Sequence, residues 1–151
     1  CAVTKIFLIF IILVLIGGAG AHWYLHKDDN RLRMDACQLR ASGGPIADGA
    51  TISAADTLKL QVTLRGCTAD SSQMCKANIK ANIVGPSKTA EFTGLNSALP
   101  FSFRKNSAIT SMEAQAEGTG FTPGDYIVTI TAEDLNANKT VEKKFTFSTR
   151  P

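Results

Sequence analysis

The residues able to do chemistry in this chain are few, and their spacing limits what that chemistry could be. His22 and His26 lie four apart, so on a helix they face the same way. That spacing suits ligation of a haem, a metal or a chlorophyll, and it equally suits imidazoles lying among lipid head groups. The chain has two histidines in all. A Ser-His-Asp or Cys-His nucleophile further along would therefore lack the imidazole that activates it. In "DLNANKT", Asp134, Asn136 and Asn138 alternate like the first half of a calcium loop. Lys139 stands where the tight-turn glycine belongs, however, and Phe145 where the bidentate glutamate belongs. A hairpin turn accounts for the same residues. Asn138-Lys139-Thr140 also spells a glycosylation acceptor. No Gly-rich loop opens a helix to cradle a phosphate. The expectation is a non-enzyme with no cofactor, no metal and no small-molecule substrate.

Cysteine is the remaining reactive type. Cys67 and Cys75 bracket "CTADSSQMC", a short polar loop, and no histidine follows to complete a zinc pattern. A Cys67–Cys75 disulfide is expected, which places the domain in an oxidising compartment. Cys37 could instead pair with either one, or with another chain. Cys1, the first residue given, is a candidate for lipidation of the kind found at the start of bacterial lipoproteins. An apolar stretch rather than a polar tether follows it, which argues the other way.

That stretch is the first element. Ala19-Gly20-Ala21 reads like a signal-peptidase site, but the apolar character runs on from Ala2 to Leu25. Such a run spans a hydrocarbon layer of about 30 Å at about 1.5 Å per residue. Trp23 and Tyr24 sit where an interfacial aromatic belt belongs, and Lys27, Asp28 and Asp29 follow in water. Residues 1–27 are read as a single transmembrane α-helix, 28–33 as a linker and 34–151 as a folded domain. Gly17, Gly20 and Ala21 put small residues on neighbouring turns, a face that lets a second helix approach closely. Lys5 pulls the N-terminus towards the cytoplasm, whereas Lys27, Arg31 and Arg33 pull the other way. The expected disulfide favours a periplasmic domain on a bacterial inner membrane. A net charge of +3 is too mild to argue for nucleic acid.

Beyond Leu32 the period changes to two. Leu58, Leu60, Val62 and Leu64 share a face in "TLKLQVTL"; Ala77, Ile79, Ala81 and Ile83 do so in "KANIKANIV". Leu99, Phe101 and Phe103 alternate in "LPFSFRK", Tyr126, Val128, Ile130 and Ala132 in "GDYIVTITAEDL", and Val141, Phe145 and Phe147 in "TVEKKFTFS". Weaker strands are expected at Met34–Arg40, Glu91–Leu95 and Ser111–Ala116. Turns are expected at Gly43-Gly44-Pro45, Gly85-Pro86-Ser87, Thr122–Asp125 and Asn136–Asn138. About seven or eight short strands so spaced predict an antiparallel β-sandwich.

The stretch "FTPGDYIVTITAEDLNANKTVEKKFTFS" resembles the last hairpin of bacterial immunoglobulin-like and fibronectin type III-like domains. The resemblance implies a mainly β, Ig-like sandwich with Tyr126 as a corner tyrosine, its hydroxyl bonded to backbone upstream. The buried Trp and inter-sheet cysteine pair of antibody domains have no counterpart here. Such domains serve adhesion, scaffolding and chaperoning alike. The reading that fits the anchor, its small-residue face and the lack of a catalytic constellation is an accessory subunit. Its partners would be the lipid bilayer and other membrane-protein subunits. The alternatives are a pilin-like filament subunit, against which Lys5 and the polar Lys27–Asn30 weigh, and a membrane-anchored adhesin or periplasmic chaperone.

Overall fold

The computed structural model describes residues 30–86, 89–93, 95, 99–105, 110–116 and 120–151. The expected N-terminal helix, with Cys1, Gly17, Gly20, Ala21, His22, Trp23, Tyr24 and His26, lies outside the described residues. Among the described residues no helix is long and apolar enough to cross a membrane.

The described chain is mainly β. Its strands are β1 (Arg33–Ala41), β2 (Gly44–Pro45), β3 (Ala50–Ser53), β4 (Lys59–Arg65), β5 (Met74–Val84), β6 (Thr89–Thr93), β7 (Phe101–Arg104), β8 (Thr110–Ala116), β9 (Gly124–Asp134) and β10 (Lys139–Arg150). One sheet runs β2-β1-β4-β8, and the other runs β3-β10-β9-β5 with β7 against the start of β5. Strand β6 belongs to both: it pairs β5 from Thr89 to Glu91 and then β8 through Phe92 and Thr93.

The long strands form where the alternation is cleanest, because a half-buried pleat needs an apolar residue at every second position. Leu60, Val62 and Leu64 of β4 meet Cys75 to Ile83 of β5 and Tyr126 to Ala132 of β9 in one core. Large residues stand opposite small ones across the β5–β9 pair, Ile79 against Ala132 and Ala81 against Ile130. That arrangement lets the layers interdigitate at the density of a folded interior.

The structure departs from the sequence reading in particular places. The sheets are mixed rather than purely antiparallel, because β3 runs parallel to the end of β10, Ala50 facing Phe147. The chain reaches that position by crossing between the sheets: Ile46 N–H bonds Leu39 of β1 at 2.9 Å, and Gly49 N–H bonds Thr146 of β10 at 2.8 Å. Gly49 has φ +79°, a conformation most side chains resist. Gly44-Pro45, expected as part of a turn, forms β2 after a turn at Ser42-Gly43. Leu99 is 77% exposed instead of sharing a buried face with Phe103. Pro100 has no N–H to give the ladder, so β7 starts only at Phe101.

Candidate functional site

The sandwich is open along one side. Among the described residues no strand pairs the outer edge of β1 from Arg33 to Gln38, and none pairs β10 from Lys139 to Thr146 on the side away from β9. These edges flank a cleft of about 490 Å³, lined by Asp35, Cys37, Gln38, Ile46, Asp48, Gln61, Lys143 and Phe145 among others. Lys143 explains why the cleft stays open. Its register partner Ile130 is buried, so Lys143 occupies a core-facing position, yet it is itself exposed. An ammonium there cannot be sealed under a closing sheet, and an inward charge of this kind discourages indiscriminate strand addition.

Two further groups give the cleft its chemistry. Burial pushes the Cys37 thiol up to about 11, with Lys143 pulling the other way. At neutral pH this cysteine is a protonated thiol, not a thiolate nucleophile, and it is unpaired. Asp48 accepts from the backbone N–H of Thr146 at 2.6 Å and from its hydroxyl at 2.9 Å. These donors hold the Asp48 carboxyl below the ordinary carboxylate value. Together with the Gly49 bond they clip the crossing segment to β10.

The two ends of the sandwich are finished differently. At one, Tyr126 is 1% exposed, and its hydroxyl donates to the carbonyl of Thr122 at 2.9 Å. Thr149 Oγ1 donates to the same carbonyl at 2.6 Å. The Tyr126 ring stacks on Phe147 at 5.0 Å and meets Phe121 edge-on at 5.2 Å. Its other neighbour is the backbone of Gly85, where any Cβ would run into the ring. At the opposite end, Cys67 and Cys75 form the expected disulfide, Cα atoms 5.8 Å apart and both sulfurs buried. Asp134 is 2% exposed and accepts from the N–H groups of Thr68 at 2.8 Å, Asn136 at 3.0 Å and Ala137 at 3.2 Å. Asn136 Nδ2 in turn donates to the carbonyls of Thr68 at 2.8 Å and Met74 at 3.0 Å. Asn138 takes the left-handed conformation, φ +54°, that the β9–β10 turn needs. The alternating Asp134, Asn136 and Asn138 therefore build a turn and clamp the disulfide loop.

Sequence reasoning did not single out Asp35, Asp48 or Lys143. The signal for Lys143 was present: it interrupts the run Val141, Phe145, Phe147 at a position where an apolar residue belongs. Asp35 and Asp48 carry no local signal, because the cleft is made by segments far apart in sequence.

No protein-family model matches the chain, and no curated protein matches it. Among solved structures it is similar to the CooA pilin subunit from enterotoxigenic Escherichia coli. The identity is 20% over 76% of this chain and 99% of that one, with a TM-score of 0.34. A likeness so weak carries no argument about what this chain does.

Proposed function

We propose that the chain is a non-catalytic, Ig-like interaction domain carried on an apolar N-terminal membrane anchor, an accessory subunit of a larger complex in the bacterial envelope. Support for the Ig-like reading comes from the chain crossing between sheets into a parallel β3–β10 pair and from the Tyr126–Thr122 bond. The single observation that carries the functional reading is the open cleft between the edges of β1 and β10. Backbone donors and acceptors along both edges suit an extended segment of another protein. Lys143 gives that recognition a charge, so specificity comes from more than main-chain pairing. The same edges favour a second reading, peptide capture by a membrane-anchored chaperone or adhesin. The filament reading draws no support from the CooA likeness at its TM-score of 0.34.

The test is site-specific photocrosslinking of the full chain in its native membranes. A crosslinker at Lys143 should capture a discrete partner in fixed stoichiometry after mild solubilisation. One at Lys80, on the outer face of β5, should not. Equal capture from both positions, or none from Lys143, removes the cleft as the recognition surface. Many partners captured from Lys143 would favour the chaperone reading, and a ladder of self-adducts the filament.

A further inference from the structure

We propose that the disulfide end of the sandwich is a docking face for anionic lipid head groups, so that the domain stands upright on its own membrane instead of swinging from a tether. This rests on the membrane-anchor reading above. The first observation is where the chain comes in. Asn30 is held at this end: its carbonyl lies 3.5 Å from Thr68 Oγ1 beside Cys67, and its side-chain oxygen accepts from Lys105 Nζ. Leu25, the last apolar residue of the N-terminal run, is five residues earlier. Even fully extended, that stretch reaches at most roughly 18 Å. The disulfide end therefore lies within head-group distance of the bilayer.

The second observation is charge. The start of β1, the end of β4, the end of β7 and the start of β10 all converge here. They bring Arg31, Arg33, Arg65, Arg104, Lys105 and Lys139 to one end, Arg33 facing Arg65 in register and Arg104 facing Met74. The acids at the same end are fewer, Asp35, Asp70, Glu133 and Asp134, and all but Glu133 are engaged. Asp35 pairs with Arg33 at 3.7 Å and Arg65 at 3.8 Å. Asp70 accepts from the N–H groups of Ser72 at 2.9 Å and Met74 at 3.0 Å. Asp134 is buried and bonded as described. The outermost part of the loop is polar: Thr68, Ser71, Ser72 and Gln73 are exposed. That composition suits contact with head groups and not insertion among acyl chains.

The experiment uses the full chain in lipid nanodiscs of phosphatidylcholine alone or mixed with phosphatidylglycerol, read by the acylation rate of each lysine. In the anionic discs, labelling of Lys105 and Lys139 should fall about fivefold. Lys80 and Lys144, on the outer face of β5 and β10, should be unchanged. About 1 M salt, where screening reaches only about 3 Å, should restore the rates. So should the double variant Arg31→Glu/Arg65→Glu, whose thermal melt serves as the folding control. Equal rates for Lys105 and Lys139 in both lipids, or an equal fall at Lys80, overturns the docking face. Release of the chain by an alkaline carbonate wash overturns the anchor reading and this proposal with it. Retention in the bilayer with unshielded lysines overturns the docking face alone.

Discussion

The two ends of the sandwich solve the same problem by different means. Where β9 begins, the space between the sheets is filled by aromatic rings: Tyr126, Phe121 and Phe147 pack on one another. Where β9 ends, Leu32 and Phe103 are buried beside Cys67, Cys75 and Ala77, and closure adds a covalent bond and the contacts of Asp134 and Asn136. The difference teaches that a staple and polar clamps can be added to packing where a loop must be held. At the disulfide end the last loop is held by a bridge and by buried, satisfied polar groups in addition to packing.

The comparison can be broken most forcefully at the aromatic end. Phe147→Ala removes the ring that both Tyr126 and Phe121 rest on and should cost about 3–5 kcal/mol in urea unfolding. A loss below about 1 kcal/mol would mean that the aromatic end is not packed as described. At the other end, Cys67→Ala/Cys75→Ala opens a loop closed by residues eight apart. The chain-entropy relation gives a loss of about 2.5 kcal/mol. Hydrogen exchange should also quicken between Thr68 and Met74 while the amides around Tyr126 keep their protection rank; uniform quickening would show the ends to be one cooperative unit.

A finer probe is Tyr126→Phe, which keeps the ring and deletes the bond to Thr122. It should lower stability by about 0.5–1.5 kcal/mol. An unchanged denaturant midpoint would leave the tyrosine corner without an energetic role.

The smallest effect is expected at the clip between the sheets. The donors from Thr146 lower the Asp48 value from its ordinary 3.8. A depressed folded value means that this contribution is complete above pH 3.8 and fades as the pH falls through the lowered folded value. Asp48→Asn should therefore lose a little stability at neutral pH and show a shallower acid decline than the parent. Parallel acid profiles would remove Asp48 from the account.

What was legible in the sequence follows from what is local. β4, β5 and β9 could be read because each repeats an apolar residue at every second position over most of its length. The disulfide was legible because its cysteines bracket a polar loop with no competing ligand. Tyr126 was legible through the Pro123-Gly124-Asp125 turn before it. β3 was not, since "ATIS" buries only Ile52 and its pairing partner lies almost a hundred residues away. The double membership of β6 was hidden because a five-residue strand carries no local sign of where it changes partner. The cleft could not be foreseen as a place, although Lys143 marked one wall of it.

The parallel β3–β10 pair has a mechanical meaning. Asn30 lies at the disulfide end, while Arg150 lies at the other, across from Ser53. A pull applied at Ala50 and Arg150 draws β3 and β10 past each other along their length, whereas one applied at Asn30 first loads β1 against β4. Antiparallel strands loaded from one end unzip one bond at a time. Parallel strands loaded from opposite ends share the load across the whole patch, from Phe147 opposite Ala50 to Arg150 opposite Ser53. That patch is thus built to resist shear between β3 and β10.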